Sequence, residues 1–300
     1  MTPDVASTLA DGAQRLALAG VMAPRHDAEV LLASVLAQPR GTLHRQPSLS
    51  DGQLAAFAVA LGRRAGREPL QHIVGTAAFR YLELKVGQGV FVPRPETEVM
   101  TGVAVGELHR LQQAGVGAPR AVDLCAGSGA VALAMATEVP DSVVTAVELS
   151  PEAVCYARDN AAGTGVDIRQ GDIADAVDDL VAQVHVVTAN PPYIPLVAFE
   201  SVDVEAREFD PALALWSGDD GLDAIRVVCE VAARLLLDGG LVACEHADVQ
   251  GDSAPAVFAA SGRWAEVRDH TDLAGRPRFV TARRAPRRTA LATPQDRLAR

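Results

Sequence analysis

The sequence predicts an α/β protein in which a helical region precedes a doubly wound domain. From Glu98 onward, short apolar segments of strand length alternate with helical stretches. Before about residue 75, apolar residues recur at helical spacing instead. Ligands of doubly wound sheets bind at the carboxyl ends of the strands, so we expect the functional site there.

Length and composition are those of an ordinary globular protein. The 300 residues suggest two domains, and 49% hydrophobic with 22% charged residues argues against a disordered or fibrous chain. No apolar stretch approaches the roughly 20 residues that cross a bilayer, and the first residues lack a secretory signal pattern, so no membrane association is expected. The four dispersed cysteines form no Cys-x-x-Cys pair, which disfavours a metal site or a disulfide framework and favours the cytoplasm.

Charge is distributed unevenly along a chain whose net charge is −11. Residues 1–95 carry ten basic and seven acidic side chains, a net charge of +3. Residues 96–280 carry eleven basic and thirty acidic side chains, a net charge of −19. Residues 281–300 carry six basic side chains and one acidic side chain, a net charge of +5. The acidic middle segment should repel phosphates, so no direct nucleic-acid binding is expected. Residues 284–300 are rich in arginine and alanine without periodicity, which predicts a flexible basic tail.

Residues 1–75 are predicted to form a compact helical domain. Thr2-Pro3 opens a helix that runs to about Ala19, and Pro24 opens the next, since proline is favoured in a first turn. Ser50 and Gln53 form a capping box ahead of a third helix.

A change to a hydrophobic period of two marks the linker, residues 76–95. Alternation from residue 79 to residue 86 predicts a strand. Gly87-Gln88-Gly89 then predicts a turn into a second strand at 90–92. We therefore expect a β-hairpin between the two domains.

Residues 96–283 form the predicted doubly wound domain. Its strands are expected at 120–124, 142–147, 166–170, 184–189, 240–245, 264–269 and 278–282. Its helices are expected near 97–113, 129–138, 151–161, 221–237 and 250–260.

A glycine-rich turn follows the first strand of this domain. Asp123 near the strand end is followed by Cys125-Ala126-Gly127-Ser128-Gly129 and a helix, so backbone N–H groups can approach a ligand closely. The spacing differs from the G-x-G-x-x-G of dinucleotide enzymes. It follows the D-x-G-x-G-x-G form used for S-adenosylmethionine, with Cys125 in place of the first glycine. Taken alone, such glycines are also compatible with a purely packing role.

Acidic residues end the next two strands. Glu148 lies nineteen residues after Gly129, where a carboxylate can accept both hydroxyls of a ribose. Asp172 can accept from an adenine amino group, with Ile173 beside the ring. Glu148 or Asp172 by itself is typical of a helix cap. Together with Asp123 and the glycine turn, however, they predict a site for S-adenosylmethionine.

The fourth strand ends in Asn190-Pro191-Pro192-Tyr193, in which two prolines fix a rigid turn. The Asn190 side-chain oxygen and the Pro191 carbonyl can together accept both hydrogens of a planar –NH₂ group. Oxygens so placed stabilise positive charge that develops on the nitrogen during methyl transfer. Tyr193 is expected to stack on or wall the amine-bearing group. The pattern does not choose between glutamine, adenine and cytosine as the acceptor.

The chain resembles the protein-(glutamine-N5) methyltransferases that modify peptide-chain release factors, the HemK/PrmC family, over about residues 5–282. The Asn-Pro-Pro-Tyr block is shared with DNA methyltransferases, whereas the helical-domain and PRPETE blocks discriminate this family. The matching blocks are PRHDAEVLL (24–32), REPLQHIVG (67–75), FVPRPETE (91–98), DLCAGSGA (123–130), NPPYI (190–194), FDPALAL (209–215), GDDGL (218–222) and GGLVACEHADVQ (239–250).

The resemblance implies a class I S-adenosylmethionine-dependent methyltransferase fold, Rossmann-like with a seven-stranded sheet, behind an N-terminal helical bundle and a β-hairpin linker. It implies that residues 125–129 hold the methionine part of S-adenosylmethionine, Glu148 the ribose, and Asp172 with Ile173 the adenine. Residues 190–193 would bind the glutamine of the Gly-Gly-Gln motif of release factors, with Asn190 touching cofactor and substrate. The helical domain would bind the release factor. A cytoplasmic monomer that modulates translation termination is expected.

One residue departs from the family pattern, and the roles of three other features are expected as follows. Cys125 stands where the family usually has glycine, and a positive φ there would cost a cysteine roughly 1 kcal/mol. The segment from residue 194 to residue 218 lacks clear periodicity and is expected to be a lid that orders when substrate binds, with a plain disordered loop as the alternative. Arg94 is expected either to pair with acids of this lid or to precede a simple helix cap at Thr97. His246 is expected to be structural.

Three other functions compete with this interpretation. An adenine-N6 nucleic-acid methyltransferase shares the Asn-Pro-Pro-Tyr turn but needs a basic groove, which residues 96–280 do not supply. A glutamine methyltransferase for a ribosomal protein is a close alternative. A binding scaffold without turnover would follow if Cys125 abolished cofactor binding.

Overall fold

The structure, a computed structural model, describes residues 4–46 and 48–287 of the chain. Its first part is helical, with a 3-10 helix at Arg40–Arg45 between the second and third α-helices. The α-helices of this part are α1 (Val5–Leu18), α2 (Pro24–Val35), α3 (Asp51–Ala65) and α4 (Leu70–Val74).

Local sequence signals set the helix starts, and apolar faces hold the helices together. The predicted capping box is confirmed: the Ser50 N–H donates to Gln53 Oε1 at 2.8 Å, and the Ser50 hydroxyl oxygen accepts from the Gln53 N–H. Leu16, Leu32 and Phe57 of three successive helices are at most 2% exposed and share one core. Burial of these side chains gives the helical region its own hydrophobic core.

The linker hairpin turns earlier than the sequence predicts. Strand β1 (Thr76–Phe79) pairs antiparallel with β2 (Leu82–Lys85), so the chain reverses at Arg80-Tyr81. The predicted turn at 87–89 occurs, since the Val90 N–H donates to the Gly87 carbonyl at 3.3 Å and Gly89 has a φ of 92°. The predicted strand at 90–92 is wrong, because no strand follows β2 in the linker.

Contacts from distant residues account for the early turn. Arg80 has a positive φ of 51°, a conformation that a side chain normally disfavours. Its N–H donates to Glu98 Oε1 at 3.0 Å, and its guanidinium donates to Glu138 Oε2 at 2.6 Å. Neither partner lies in the hairpin, so the local hydrophobic period carries no sign of the turn.

The rest of the described chain is a doubly wound α/β structure. Its strands are β3 (Arg120–Leu124), β4 (Val143–Glu148), β5 (Asp167–Gln170), β6 (Val184–Ala189), β7 (Leu236–Glu245), β8 (Trp264–Thr271) and β9 (Pro277–Arg284). Its helices are α5 (Thr97–Gln113), α6 (Ala130–Glu138), α7 (Pro151–Asn160), α8 (Val204–Phe209), α9 (Ala212–Leu215), α10 (Asp223–Leu235) and α11 (Ser253–Ala260). The seven predicted strands and five predicted helices all occur; β3, β6 and α5 have the predicted ends, and the others differ at one or both ends.

The seven strands form one sheet in the order β5-β4-β3-β6-β7-β9-β8. The first five of these are mutually parallel, whereas β9 pairs antiparallel with both β7 and β8. The chain order reverses between β3 and β6, which is the switch point where doubly wound sheets bind ligands. Apolar side chains of α5 and α6 pack with one core cluster, and those of α10 and α11 with another.

The lid segment, residues 194–218, is folded. A 3-10 helix (Leu196–Ser201) is followed by α8 and α9, none of which the sequence predicts. An isolated parallel bridge joins Ile194 to Trp216 and closes the base of the segment. The segment therefore contains regular structure, and its ordering on substrate binding stays a prediction.

The predicted basic tail, residues 284–300, begins within an ordered part of the chain. Arg284 is the last residue of β9, and the Arg287 guanidinium donates to the Leu236 carbonyl at 2.9 Å. Residues 288–300 lie outside the described residues. Across the described ranges, none of the helices combines the length and apolar character that spanning a bilayer requires.

Candidate active site

A cavity of about 800 Å³ opens at the carboxyl ends of β3, β4 and β6. It brings together most of the residues that the sequence singles out. Those lining it are Cys125, Ala126, Gly127, Ser128, Glu148, Asp172, Ile173, Asn190, Pro192 and Tyr193. Gly129 and Pro191 are buried and are not among the residues that line the cavity.

The glycine turn is held in place by Glu148. The Gly127 N–H donates to Glu148 Oε2 at 2.7 Å, and the Ser150 N–H donates to Glu148 Oε1 at 2.8 Å. Each carboxylate oxygen keeps a further lone pair for a ligand. Glu148 therefore fixes the turn after β3 as well as facing the cavity.

Gly129 forms the junction between the turn and α6. It is the N-cap of α6 and has a φ of 85°, in the left-handed region that glycine adopts without strain. A Cβ at this position would lie 3.4 Å from Leu133 Cδ1 and 3.7 Å from the Ala157 backbone. Glycine is required here mainly by backbone conformation.

Cys125 has the positive φ that the sequence analysis considered, 63°. Burial, and then the carboxylates of Glu148, Asp123 and Asp172, raise the pKa of its thiol well above the usual range. A thiol that stays protonated is a poor nucleophile. Cys125 therefore carries a conformational cost without a nucleophilic role.

Asp123 is a site residue that the sequence analysis noted only as a strand-end acid. It is 1% exposed, and its Oδ1 accepts from the Thr188 hydroxyl at 2.7 Å. Its Oδ2 is buried at the cavity and has no partner among the described residues. Burial raises the pKa of Asp123 to about 7. An unpaired buried carboxylate oxygen fits a ligand that brings a positive charge or an N–H donor.

Asp172 and Ile173 lie at the end of β5, on the opposite side of Glu148 from the glycine turn. Asp172 Oδ1 accepts from the Ala174 N–H at 2.9 Å, so this acid caps the following turn. Both residues also line the cavity. The Asp172 side chain therefore caps a turn and also lies at the cavity.

The Asn-Pro-Pro-Tyr turn is joined to two residues that the sequence analysis did not propose as site residues. The Asn190 Nδ2 donates to the Thr97 hydroxyl oxygen at 3.3 Å, and Thr97 Oγ1 donates to Glu245 Oε2 at 2.7 Å. The Tyr193 hydroxyl donates to Glu245 Oε1 at 3.2 Å. Glu245 lies in the GGLVACEHADVQ block, but nothing in that block links it to this turn, and the sheet order brings it beside the turn after β6.

Gly221 supports the same turn from behind. It has a φ of 76°, and a Cβ there would lie 2.3 Å from the Tyr193 carbonyl oxygen. That carbonyl also accepts from Gln250 Nε2 at 3.1 Å. Gly221, the second glycine of the GDDGL block, therefore allows the two backbone segments to approach closely.

The lid segment forms one wall of the cavity through Glu205 and residues 211–216. Arg94 Nη2 donates to Asp210 Oδ2 at 2.9 Å, which confirms the predicted pairing with a lid acid. The alternative of a helix cap at Thr97 is wrong, because Glu96 precedes α5 and Thr97 is its first helical residue.

His246 is fully buried beside the end of β7. Its Nε2 contacts Asp269 Oδ1 at 2.9 Å, and its Nδ1 contacts the Ala247 carbonyl oxygen at 2.8 Å. It does not line the cavity described above. Both ring nitrogens are engaged, in agreement with the expected structural role.

Comparison with known proteins gives two family matches and a set of close relatives. Residues 7–75 match the PrmC N-terminal domain and residues 107–203 match the methyltransferase small domain. The release factor glutamine methyltransferase of Streptomyces coelicolor is 53% identical over 277 residues, 92% of this chain and 97% of that protein. That of Mycolicibacterium smegmatis is 47% identical, covering 91% and 95%. The 4-amino-L-phenylalanine/4-methylamino-L-phenylalanine methyltransferase of Streptomyces pristinaespiralis is 42% identical, covering 88% and 90%.

A mainly parallel seven-stranded sheet, with a glycine turn and an Asn-Pro-Pro-Tyr turn opening on one cavity, defines a class I methyltransferase. The predicted fold class is thereby confirmed. The chain belongs to the release factor glutamine methyltransferase family, since 53% identity extends over 92% of its length.

Proposed function

We propose that this enzyme transfers a methyl group from S-adenosylmethionine to the side-chain amide nitrogen of the glutamine in the Gly-Gly-Gln motif of peptide-chain release factors. The observation that carries the proposal is the orientation of Asn190. Its Nδ2 donates to Thr97, and its Oδ1 accepts no hydrogen bond from the described residues, so this oxygen is available to an acceptor –NH₂. Membership of the release factor glutamine methyltransferase family supports the choice of glutamine.

The cofactor side of the cavity fits S-adenosylmethionine by charge and by backbone conformation. Residues 125–129 would hold the methionine part, with Asp123 Oδ2 facing its ammonium group. Glu148 would hold the ribose, and Asp172 with Ile173 the adenine. When bound, this cofactor supplies a sulfonium methyl group open to nucleophilic attack.

The enzyme's own contribution is to orient the acceptor nitrogen. Asn190 Oδ1 and the Pro191 carbonyl would each accept one amide hydrogen, which turns the face of the nitrogen toward the methyl group. The same oxygens stabilise the positive charge that grows on nitrogen. The methylated amide then loses its extra proton to water, so no protein base is needed.

The helical region is proposed to bind the release factor outside the cavity. On this proposal residues 1–75 form the substrate-binding domain, 76–95 the linker and 96–283 the methyltransferase domain. Contacts of Arg64 in α3 and of Arg67 just after it with Glu205 of the lid segment support a platform next to the acceptor side.

Peptide mass spectrometry tests the proposal. Purified enzyme is incubated with S-adenosylmethionine and a release factor, and the Gly-Gly-Gln peptide is sequenced by fragmentation. We expect a mass gain of one methyl group on the glutamine. 4-Amino-L-phenylalanine serves as the control acceptor, because the Streptomyces pristinaespiralis relative is named as a methyltransferase for it. Methylation of that amine with none of the release factor would overturn the proposal.

A further inference from the structure

Two buried side chains from distant parts of the chain meet behind the Asn-Pro-Pro-Tyr turn. Thr97 is the first residue of α5 and is 4% exposed. Glu245 is the last residue of β7 and is 1% exposed. The first contacts Asn190 and the second contacts Tyr193, so together they touch both ends of the turn.

When Glu245 is ionised, donor and acceptor counting fixes the direction of these hydrogen bonds. A threonine hydroxyl has one hydrogen, and Thr97 donates it to Glu245 Oε2 at 2.7 Å. The lone pairs of Thr97 Oγ1 are then available to accept from Asn190 Nδ2 at 3.3 Å. A flipped Asn190 carboxamide would present its oxygen to Thr97 and leave its –NH₂ toward the acceptor, where it cannot accept a hydrogen.

We propose that Thr97 and Glu245 are positioning residues for methyl transfer, which keep the Asn190 oxygen and the Tyr193 ring directed at the acceptor. The inference rests on the proposed function, because it concerns the acceptor that Asn190 holds. Glu245 acts through both oxygens, accepting from Thr97 with one and from Tyr193 with the other.

The hydrogen bonds that Glu245 makes to Thr97 and Tyr193 depend on whether its carboxyl group is ionised. Ionised Glu245 accepts from both hydroxyls, whereas a protonated carboxyl must donate from one oxygen and so weakens one of the two bonds. The groups that face it are Arg278 from β9, Glu96 before α5, and the Tyr193 hydroxyl. Burial raises the pKa of Glu245 to about 7, so methyl transfer should rise with pH through this range.

Substitutions at Thr97 distinguish the effect of its hydroxyl group on kcat from the effect of its side-chain packing. Thr97→Val keeps the shape and removes the hydrogen bonds, and we expect kcat to fall roughly 10- to 100-fold with S-adenosylmethionine affinity unchanged. Thr97→Ser restores the hydroxyl and should recover most of kcat. Thr101→Val is the matched control, because Thr101 is buried one turn further along α5 and donates to the Thr97 carbonyl. Equal loss in both valine variants would overturn the proposal.

A substitution at Glu245 tests the carboxylate itself. Glu245→Gln can accept from one hydroxyl but turns an –NH₂ toward the other. We expect a lower kcat and loss of the rise with pH near neutrality, measured at saturating cofactor. A variant whose pH profile parallels that of the wild type would overturn the role of Glu245.

A spectroscopic arm keeps the inference testable if release factor is not the substrate. The chain has two asparagines, Asn160 and Asn190, so [15N]asparagine labelling gives two side-chain amide signals. Asn160 Nδ2 donates to the Lys85 and Ser128 carbonyls and serves as the internal reference. Thr97→Val should shift and broaden the Asn190 amide pair alone. Unchanged Asn190 signals would overturn the inference whatever the acceptor, whereas an inactive wild type with the expected shift would overturn only the proposed function.

Discussion

Arg64 of α3 and Glu205 of α8 are joined by a 2.8 Å hydrogen bond between Nη2 and Oε1, which links the helical region to the lid segment. Arg64 is 5% exposed, and its Nε also donates to Asp27 of α2 at 2.8 Å. Arg67 Nε adds a second contact to the same Glu205 oxygen at 3.0 Å. Because Glu205 lines the cavity, the position of α3 and the shape of the acceptor side are coupled.

Removing the charge of Glu205 should weaken substrate use without affecting the cofactor. In Glu205→Gln the two arginines lose an anionic partner, so the lid wall is held less firmly. We expect KM for release factor to rise about 3- to 10-fold, with S-adenosylmethionine affinity unchanged. Steady-state kinetics and calorimetry measure the two quantities. Glu208→Gln on the same helix is the control, since Glu208 pairs with the neighbouring Arg207; an equal effect there would refute the specific link.

Loss of Arg64 should destabilise the helical region. Arg64→Met leaves the buried Asp27 without its cation, which typically costs about 3–5 kcal/mol. Arg63→Met removes an exposed pair with Glu68, for which about 0–1 kcal/mol is typical. Thermal unfolding followed by circular dichroism compares the two variants. Similar melting temperatures would show that the buried bridge does not stabilise the fold.

Sequence patterns were sufficient for most of the fold, because its strands and helices follow local periodicity and capping. The capping box at Ser50 and the start of α2 at Pro24 depend on neighbours within a few residues. The turn at Arg80 was missed because Glu98 and Glu138 stabilise it from other elements. The short helices α8 and α9 have too few residues for a helical period to be recognised.

The candidate site was predictable where chemistry follows a contiguous motif. The glycine turn and the Asn-Pro-Pro-Tyr turn contain their own ligand-facing atoms. The sequence does not predict Thr97 and Glu245 as site residues, because their proposed role depends on the β6-β7 pairing and on where α5 begins. Long-range pairing of this kind has no signature in the spacing of residues along the chain.

Truncation of Asn190 should separate methyl transfer from cofactor binding. Asn190→Ala removes the oxygen that we propose accepts from the acceptor amide, but leaves the glycine turn and Glu148 in place. We expect kcat to fall by about 10²- to 10³-fold, as for loss of other preorganised groups that stabilise developing charge. S-adenosylmethionine affinity, measured by calorimetry, should change little. Parallel loss of affinity and turnover would contradict the role assigned to Asn190.

The cysteines should differ in reactivity in the order of their exposure and protonation. Cys155 is exposed, whereas the carboxylates around Cys125 and its burial keep that thiol protonated. We expect iodoacetamide at neutral pH to alkylate Cys155 first, as read by peptide mass spectrometry. Bound S-adenosylmethionine should slow any labelling of Cys125 further. Rapid alkylation of Cys125 would revive a nucleophilic role for it.

The unpaired carboxyl of Asp123 should make stability depend on pH. Burial raises the pKa of Asp123 to about 7, whereas the pKa of an aspartate in the unfolded chain is about 4. Between these values the folded state binds more protons than the unfolded state, so the free energy of unfolding falls as pH rises and stays reduced above about pH 7. We expect the ligand-free enzyme to melt at a lower temperature at about pH 8 than at about pH 5.5. Glu245, with its pKa also raised to about 7, acts in the same direction.

Asp123→Asn isolates the contribution of this one carboxyl. The variant can still accept from the Thr188 hydroxyl, but it has no charge to bury, so its melting temperature should vary less with pH than that of the wild type. Saturating S-adenosylmethionine should also flatten the wild-type profile, because a cation beside Asp123 favours the carboxylate. Differential scanning calorimetry across the pH range measures both effects. A variant with the full wild-type pH dependence would show that Asp123 does not titrate in this range.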